Sequence, residues 1–533
     1  MVLYSDLLSF FMMKFDLKFF FSSVVSVLAL WACSGSPDPQ TEPAPAAVQT
    51  ESTASPVAES ASVEPPKTKD SLSAIPASYK DIQFPEYRYV APYPKDYRVE
   101  IAEGITGYIV SDRSLPLVNF TVYFEQPRVP ATLKDEAASS MVGSMLRRGG
   151  GGGITARALD DSLEFISAGL GTSVGTFTSK FDIDCLSKDF SSMLKLSKQV
   201  LSAPAFDKEQ LEILRANFLT AYDRRYDTPA KVLSALRSKV NYAPNPRLWD
   251  ANAEDYKKVT VADAKRLAQG VYASGRIVFA LSGDVDKDSA VVMLKEFFEG
   301  WKTAFAKDSK KENKSVAAPQ PLSFVRKPGI YVVDKDITQA NISMNQPFVR
   351  RPHVDYYPAA VANVILGGGS FTSRLMNRVR SDEGLAYSVY SMVGNDYRDT
   401  AMATIALQTK VESVGFALKL IREVVDDLAK NGPTEEELLQ AKKTLIESLP
   451  SLFDSPSATA LIFANGDILG KTDDHYLDYV KEINAVTVDQ VKAMIKKYFD
   501  MDKMTVSIVA PVAKLDSLKP FTVVPLDSLE FRK

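Results

Sequence analysis

Hydrophobic and polar positions along this chain follow two periods, and the switches between them recur in the same order. In residues 259–284, "VTVADAKRLAQGVYASGRIVFALSGD", Val261, Ala264 and Leu267 stand at helical spacing and the apolar run "RIVFALSG" follows. Residues 486–511, "VTVDQVKAMIKKYFDMDKMTVSIVAP", repeat the scheme with Val488, Val491 and Ile495 and then "KMTVSIVA", at an offset of 227 throughout. Spacing of three to four marks the buried face of a helix, and a β-rich apolar run marks a strand. Thr260 and Thr487 stand where N-caps belong, with Asp263 at the capping-box position of the first copy. At the same offset "APAFDKEQLEILRANFL" resembles "NGPTEEELLQAKKTLI", which pairs Asp207 with Thr434 and Leu211 with Leu438 at the start of a capped helix. Earlier, "GLGTSV" (169–174) resembles "GLAYSV" (384–389), and "GGITARAL" resembles "GSFTSRL", at offsets of about 215–217 that differing loop lengths would produce.

Each half therefore reads as strands, helix, glycine loop, helix, two strands, several helices and a final strand. The expected class is α+β, with two homologous domains related by internal duplication over 95–305 and 328–520. Residues 306–327, charged and then Pro/Ala-rich, read as a solvated linker, and 521–533 as a C-terminal tail. Two such lobes are expected to face each other across a cleft.

The N-terminus reads as a targeting segment. Lys14 and Lys18 precede an apolar run from Phe19 to Leu30, the pattern of a signal peptide, and Leu30-Trp31-Ala32-Cys33 resembles a bacterial lipobox with Cys33 as the lipidated residue. Residues 1–33 are therefore assigned to a signal peptide, with an uncleaved membrane anchor as the alternative. Residues 34–94, opening on a stretch without Lys or Arg up to Pro66, are assigned to a disordered Pro/Ala/Ser tether. These features imply a lipid-anchored protein of the bacterial cell envelope, on the outer membrane facing the periplasm. A net charge of −3 argues against nucleic acid as a partner, and two distant cysteines argue against a disulfide framework.

Residues 366–391, "LGGGSFTSRLMNRVRSDEGLAYSVYS", resemble the C-terminal domain of the pitrilysin/insulinase-type zinc metallopeptidases, which include mitochondrial processing peptidase. The resemblance spans roughly 95–520 and implies the LuxS/MPP-like metallopeptidase fold in both halves. Active members carry His-x-x-Glu-His on the first helix of the N-terminal half, where two imidazoles four residues apart hold one zinc and the glutamate activates water. Here that helix is "EAASSMVGSMLRRGG": Ser140 and Ser144 replace the histidines and Gly143 the glutamate. The later helix, "LRANFLTAYDRRYDTP", offers no third ligand, its nearest acid being Asp223. His353 and His475 are the only histidines, 122 residues apart, and each reads as a surface or capping residue; Cys185 reads as a core residue of a strand. No metal is expected in this chain.

The resemblance implies that Arg380 and Tyr387, seven residues apart, reach the scissile peptide, as a guanidinium and a phenol can by donating to its carbonyl. The structural alternative is an Arg380 salt bridge with Asp382 or Glu383 and a packed tyrosine; Arg374 and Arg378 read as helix-surface or positioning residues. Gly367, Gly368, Gly369 and Ser370 correspond to the family's glycine-rich substrate loop, whose amides can pair with an extended peptide. The five glycines 149–153 fall opposite this loop as a C-cap; a phosphate loop would need a preceding strand and a following Lys-Ser/Thr. The function implied is a zinc-less, substrate-binding subunit of a heterodimeric metalloendopeptidase. Its partner would be a homologous His-x-x-Glu-His-bearing subunit that supplies zinc, and its substrates extended peptides. An inert envelope scaffold and a peptide-binding lipoprotein without a partner are the alternatives.

Overall fold

In the computed structural model the described residues are Ser78, 89–273, 276–301, 316–325, 327–369 and 371–532. The signal peptide with Cys33, nearly all of the tether, and Ser370 lie outside them.

The first half contributes strands β1 (Arg98–Ala102), β2 (Ile105–Ser111), β3 (Leu117–Glu125), β4 (Gly169–Val174), β5 (Thr178–Leu186) and β6 (Ile277–Gly283). They form one sheet in the order β1-β2-β6-β3-β5-β4. The second half contributes β7 (Gly329–Asp334), β8 (Gln339–Pro347), β9 (Ala386–Val393), β10 (Met402–Lys410), β11 (Thr505–Ala510) and β12 (Thr522–Val523), in the order β12-β7-β11-β8-β10-β9. Five strands correspond one to one, from β2 with β7 to β6 with β11. In each sheet the last strand runs parallel to the first of these five, and the remaining pairs are antiparallel. The sixth, edge strand differs in origin: β1 precedes β2 and runs antiparallel to it, whereas β12 comes from the chain's end and runs parallel to β7. The duplication read from periodicity is thus a duplication of topology.

Helices fill the intervals in the same order. The first half has α1 (Leu133–Arg148), α2 (Ala156–Phe165), α3 (Phe190–Ser202), α4 (Lys208–Asp223), α5 (Pro229–Asn241), α6 (Ala253–Lys257), α7 (Val261–Ala268) and α8 (Lys287–Phe298). The second has α9 (Tyr356–Asn363), α10 (Val414–Asn431), α11 (Glu435–Glu447), α12 (Pro456–Ile468), α13 (His475–Ala485) and α14 (Val488–Tyr498). Asp207, Thr260, Thr434 and Thr487 each cap their helix by accepting from the third residue on. Reciprocal capping boxes join Thr260 to Asp263 and Thr487 to Gln490, which satisfies two otherwise orphaned amides at each start.

Strands β6 and β11 are buried along their length, as expected of central strands covered on both faces. On the first sheet's inner face Phe120, Phe124 and Phe181 pack with Trp301 and the α8 aromatics Phe297 and Phe298. Its other face is closed by the opposite half: Ala460, Phe463, Ala464 and Ile468 of α12 cover Tyr108, Val278 and Ala280. The relation is reciprocal, for Val232 and Leu236 of α5 cover Val333 and Val509 on the second sheet. α5 and α12 begin at Pro229 and Pro456, again 227 residues apart, and are capped by Thr228 and Ser455. The two halves have exchanged equivalent helices.

Ion pairs and hydrogen bonds bind them as well. Arg247 and Asp399 form a buried, two-pronged ion pair at 2.8 and 2.5 Å. Residues 316–325, placed by composition in a solvated linker, are pinned instead: Val316–Ala317 pairs with Val129–Pro130, and the Gln320 and Pro321 carbonyls accept from Arg247 and Asn245. The tail likewise packs. Leu529 and Phe531 are buried, Glu530 pairs with Arg225 at 2.9 Å, and Phe531 and Asp250 exchange two hydrogen bonds. At the other boundary Tyr93, assigned to the tether, donates to Asp474.

Candidate functional site

Helix α1 carries the positions where the resemblance expects metal ligands. Thr132 caps it, and its first turn is clamped to α7: Arg266 bridges Asp135 and Asp263, both at 2.8 Å, while Lys134 reaches Asp263 at 2.8 Å. Two turns on, Ser140 and Ser144 are half-buried and Gly143 is buried. The Ser140 hydroxyl donates to the Glu136 carbonyl within its own helix, and Thr172 Oγ1 of β4 donates to the Gly143 carbonyl at 2.6 Å. A Cβ on Gly143 would stand 3.0 Å from the Val174 backbone nitrogen and 3.2 Å from Ser173 Cα. Helix and edge strand therefore touch through the missing side chain.

This donor set does not fit zinc. Two neutral hydroxyls and a glycine replace two imidazoles and a carboxylate, and among the described residues no three His, Cys, Asp or Glu side chains are grouped to hold an ion. Asp223, the last residue of α4, is exposed. His353 accepts the Asp355 amide proton at 3.1 Å, close to the capping role its context suggests. His475 is neither surface nor cap. It is half-buried beside Tyr397 and Tyr476, and burial, with Lys471 and Arg351 nearby, pushes its imidazole down to about 3. Cys185 is a buried strand residue whose thiol burial pushes up to about 12, far from reactive.

The two glycine runs are built differently. In the first half Gly149 ends α1 in helical conformation and Gly150 takes φ 74°, the left-handed residue just past the cap. Gly149 and Gly151 also lie where any Cβ would enter the backbone of 200–207. In the second half α9 continues into a π-turn over Val364–Gly368, and Gly369 keeps φ −78°. A Cβ on Gly367 would meet Ser391 N at 2.7 Å, one on Gly368 would overlap the Asn363 side chain, and the Gly369 amide already donates to Val364 O at 3.0 Å.

Arg380 lies on a second π-turn, Met376–Asp382. Its guanidinium carbon is 4.8 Å from the Phe371 ring centre, and Nη1 is 3.8 Å from Met376 Sδ. The acids named as its alternative partners pair with Arg378, Glu383 at 2.6 Å and Asp382 at 3.9 Å. Arg374 grips both Glu437 oxygens at 2.7 Å and reaches Asp427 at 2.8 Å; its guanidinium holds the Glu437 carboxyl below the usual range and ties this segment to α11. Tyr387 falls in β9, where pairing with β10 slips between Ala386 and Ser388, so it is the extra residue of a bulge. Such bulges redirect a side chain locally; the Tyr387 side chain itself lies outside what is described. Sequence reasoning did not single out Phe371. The one available signal was a large apolar residue inside an otherwise small and polar run, "GGGSFTSR".

Residues 258–445 match the family model described as Peptidase M16 inactive domain, a span that runs from α7 of the first half to α11 of the second. The Helicobacter pylori protein named Non-peptidase homolog YmxG is 26% identical over 317 residues, covering 59% of this chain and 70% of that protein. A Bacillus subtilis protein named Uncharacterized zinc protease YmxG is 23% identical over 369 residues, covering 68% and 86%. Among solved structures, the crystal structure of a peptidase M16 inactive domain from Pseudomonas fluorescens superposes with a TM-score of 0.65 at 25% identity, over 78% of this chain and 97% of that one. The two-sheet fold is that of M16 inactive-domain structures, and the chain is similar both to a protein named a non-peptidase homologue and to one named an uncharacterised zinc protease.

Proposed function

We propose that this chain is the zinc-less, substrate-binding subunit of a heterodimeric metalloendopeptidase that acts on extended peptides in the cell envelope. The observation that carries the reading is the contrast within the duplication. The metal-bearing face of α1 is replaced by hydroxyls and a glycine packed on β4, while Arg380 and its segment are kept in the second half. A homologous partner bearing His-x-x-Glu-His would hold the zinc that activates water. This chain would orient the peptide, with Arg380 donating to a substrate carbonyl and Tyr387 beside it. Donors fixed in place before the reaction act without reorganisation at the moment charge develops.

Co-purification with such a homologue tests this. The pair is expected to cleave unfolded peptides, a chelator to abolish cleavage, and Arg380→Ala to lower the rate about 10²–10³-fold. Chelator-sensitive cleavage by this chain alone would overturn the reading. Unchanged activity of the complex in an Arg380→Ala, Tyr387→Phe double variant would favour the scaffold alternative. Envelope anchoring through Cys33 is part of the proposal, and release of a Cys33→Ala variant from membrane fractions is the expected result.

A further inference from the structure

The glycines of the second half are used up in packing: Gly367 lies against Ser391 and Leu375, Gly368 against Asn363, and the Gly369 amide is bonded back to Val364. What this loop turns outward is Phe371, with 55% of its surface exposed. The ring does not stand alone, because it lies over the Arg380 guanidinium at 4.8 Å. A guanidinium carries five N–H donors, so the contact with the ring and the donors that recognise a carbonyl belong to the same group. Nη1 donates to Met376 Sδ at 3.8 Å, which holds the guanidinium beside a soft, polarisable side chain. The Arg374 pairs with Glu437 and Asp427 fix the backbone three residues beyond the ring.

We propose that Phe371 is a specificity-determining residue: it forms an apolar wall beside Arg380 and selects extended peptides that carry a bulky apolar side chain at or next to the carbonyl Arg380 holds. Residues of an extended chain follow at roughly 3.3 Å each, so a ring this close to the guanidinium meets the side chain of the gripped residue or its neighbour. The inference rests on the peptide-binding reading above.

The test uses the full chain and two synthetic peptides of equal length and charge, one with Phe and Leu at alternate positions and one with Ser and Thr there, followed by fluorescence anisotropy. Wild type is expected to prefer the apolar peptide, and Phe371→Ala to lose that preference by about tenfold. Phe371→Leu should retain most of it. Phe416→Ala, at another exposed phenylalanine, should leave it intact, with melting temperatures unchanged throughout. If wild type binds neither peptide, the peptide-binding reading fails and takes this inference with it. If both peptides bind but the preference is absent, or survives Phe371→Ala, the assignment of Phe371 alone is overturned.

Discussion

Helix α1 with β4, and helix α9 with its π-turns and β9, hold equivalent places in two sheets of the same strand order, yet their surfaces have diverged in opposite senses. In the first half small residues bring helix and strand together: Gly143 abuts Val174, and Thr172 bonds across to the Gly143 carbonyl. In the second the helix loosens into two π-turns, one carrying Arg380, with Phe371 in the turn between them. Both copies pack small residues against the edge strand, but only the second exposes a large aromatic side chain, Phe371, beside an arginine, with strand order untouched. A duplicated fold can thus vary the surface of one helix and its loop while its strand order stays the same.

The comparison breaks most completely if either half folds alone. Chains ending at Trp301 and starting at Val316 would each lose their covering helix. We expect neither to melt cooperatively by calorimetry and the mixture to recover a transition; a cooperative melt of one half in isolation would refute the interlock. Point changes sharpen the same issue. Phe463→Ala is expected to cost about 3–5 kcal/mol and Leu236→Ala about 2–5 kcal/mol in urea unfolding. A neutral result at one of them would mean that the exchange supports only one sheet.

A smaller effect tests the α1 face. The triple variant Ser140→His, Gly143→Glu, Ser144→His restores the ligand types but forces a side chain into the β4 backbone. It should cost about 1–3 kcal/mol and take up no zinc. A zinc-dependent rise in melting temperature would show that the first half still holds metal-site geometry.

The smallest difference is in acid response. Burial opposes ionisation of Asp263, but bonds from Lys134, Thr260 and Arg266 outweigh it and hold the carboxyl well below its usual range. Stability from such a depressed carboxyl is complete above the unfolded value of about 3.9 and is lost as pH falls toward the folded one. Gln490, its counterpart in the second capping box, does not titrate there. Hydrogen exchange near pH 3 should therefore show α7 loosening before α14, and Asp263→Asn should remove most of the pH dependence of that difference.

Much of the fold was legible because its signals are local. Caps at Asp207, Thr260, Thr434 and Thr487 and the buried runs of β6 and β11 are written in adjacent residues. The helix exchange was not read, although Thr228-Pro229 and Ser455-Pro456 repeat the offset of 227. Amphipathicity tells that a helix buries a face, not whose sheet receives it. The same limit hid the pinned segment 316–325, whose hydrogen bonds run through backbone groups that composition does not reveal. At the candidate site it was plain from residue chemistry that Ser140, Gly143 and Ser144 offer zinc no imidazole, thiolate or carboxylate. Phe371 over Arg380 depends on the path of a π-turn, which no short motif encodes.

The helix exchange also sets a clock on synthesis. The first sheet has all its strands once Gly283 is made, but the helix that covers its outer face begins at Pro456, 173 residues later. At about 5–20 residues per second that gap lasts roughly 9–35 s. Throughout it Tyr108, Val278 and Ala280 remain uncovered, a strand-borne apolar face open to any neighbouring chain. The half made first is thus the half that must wait, and whatever shields it in that interval belongs to the folding of this protein as much as its own residues do.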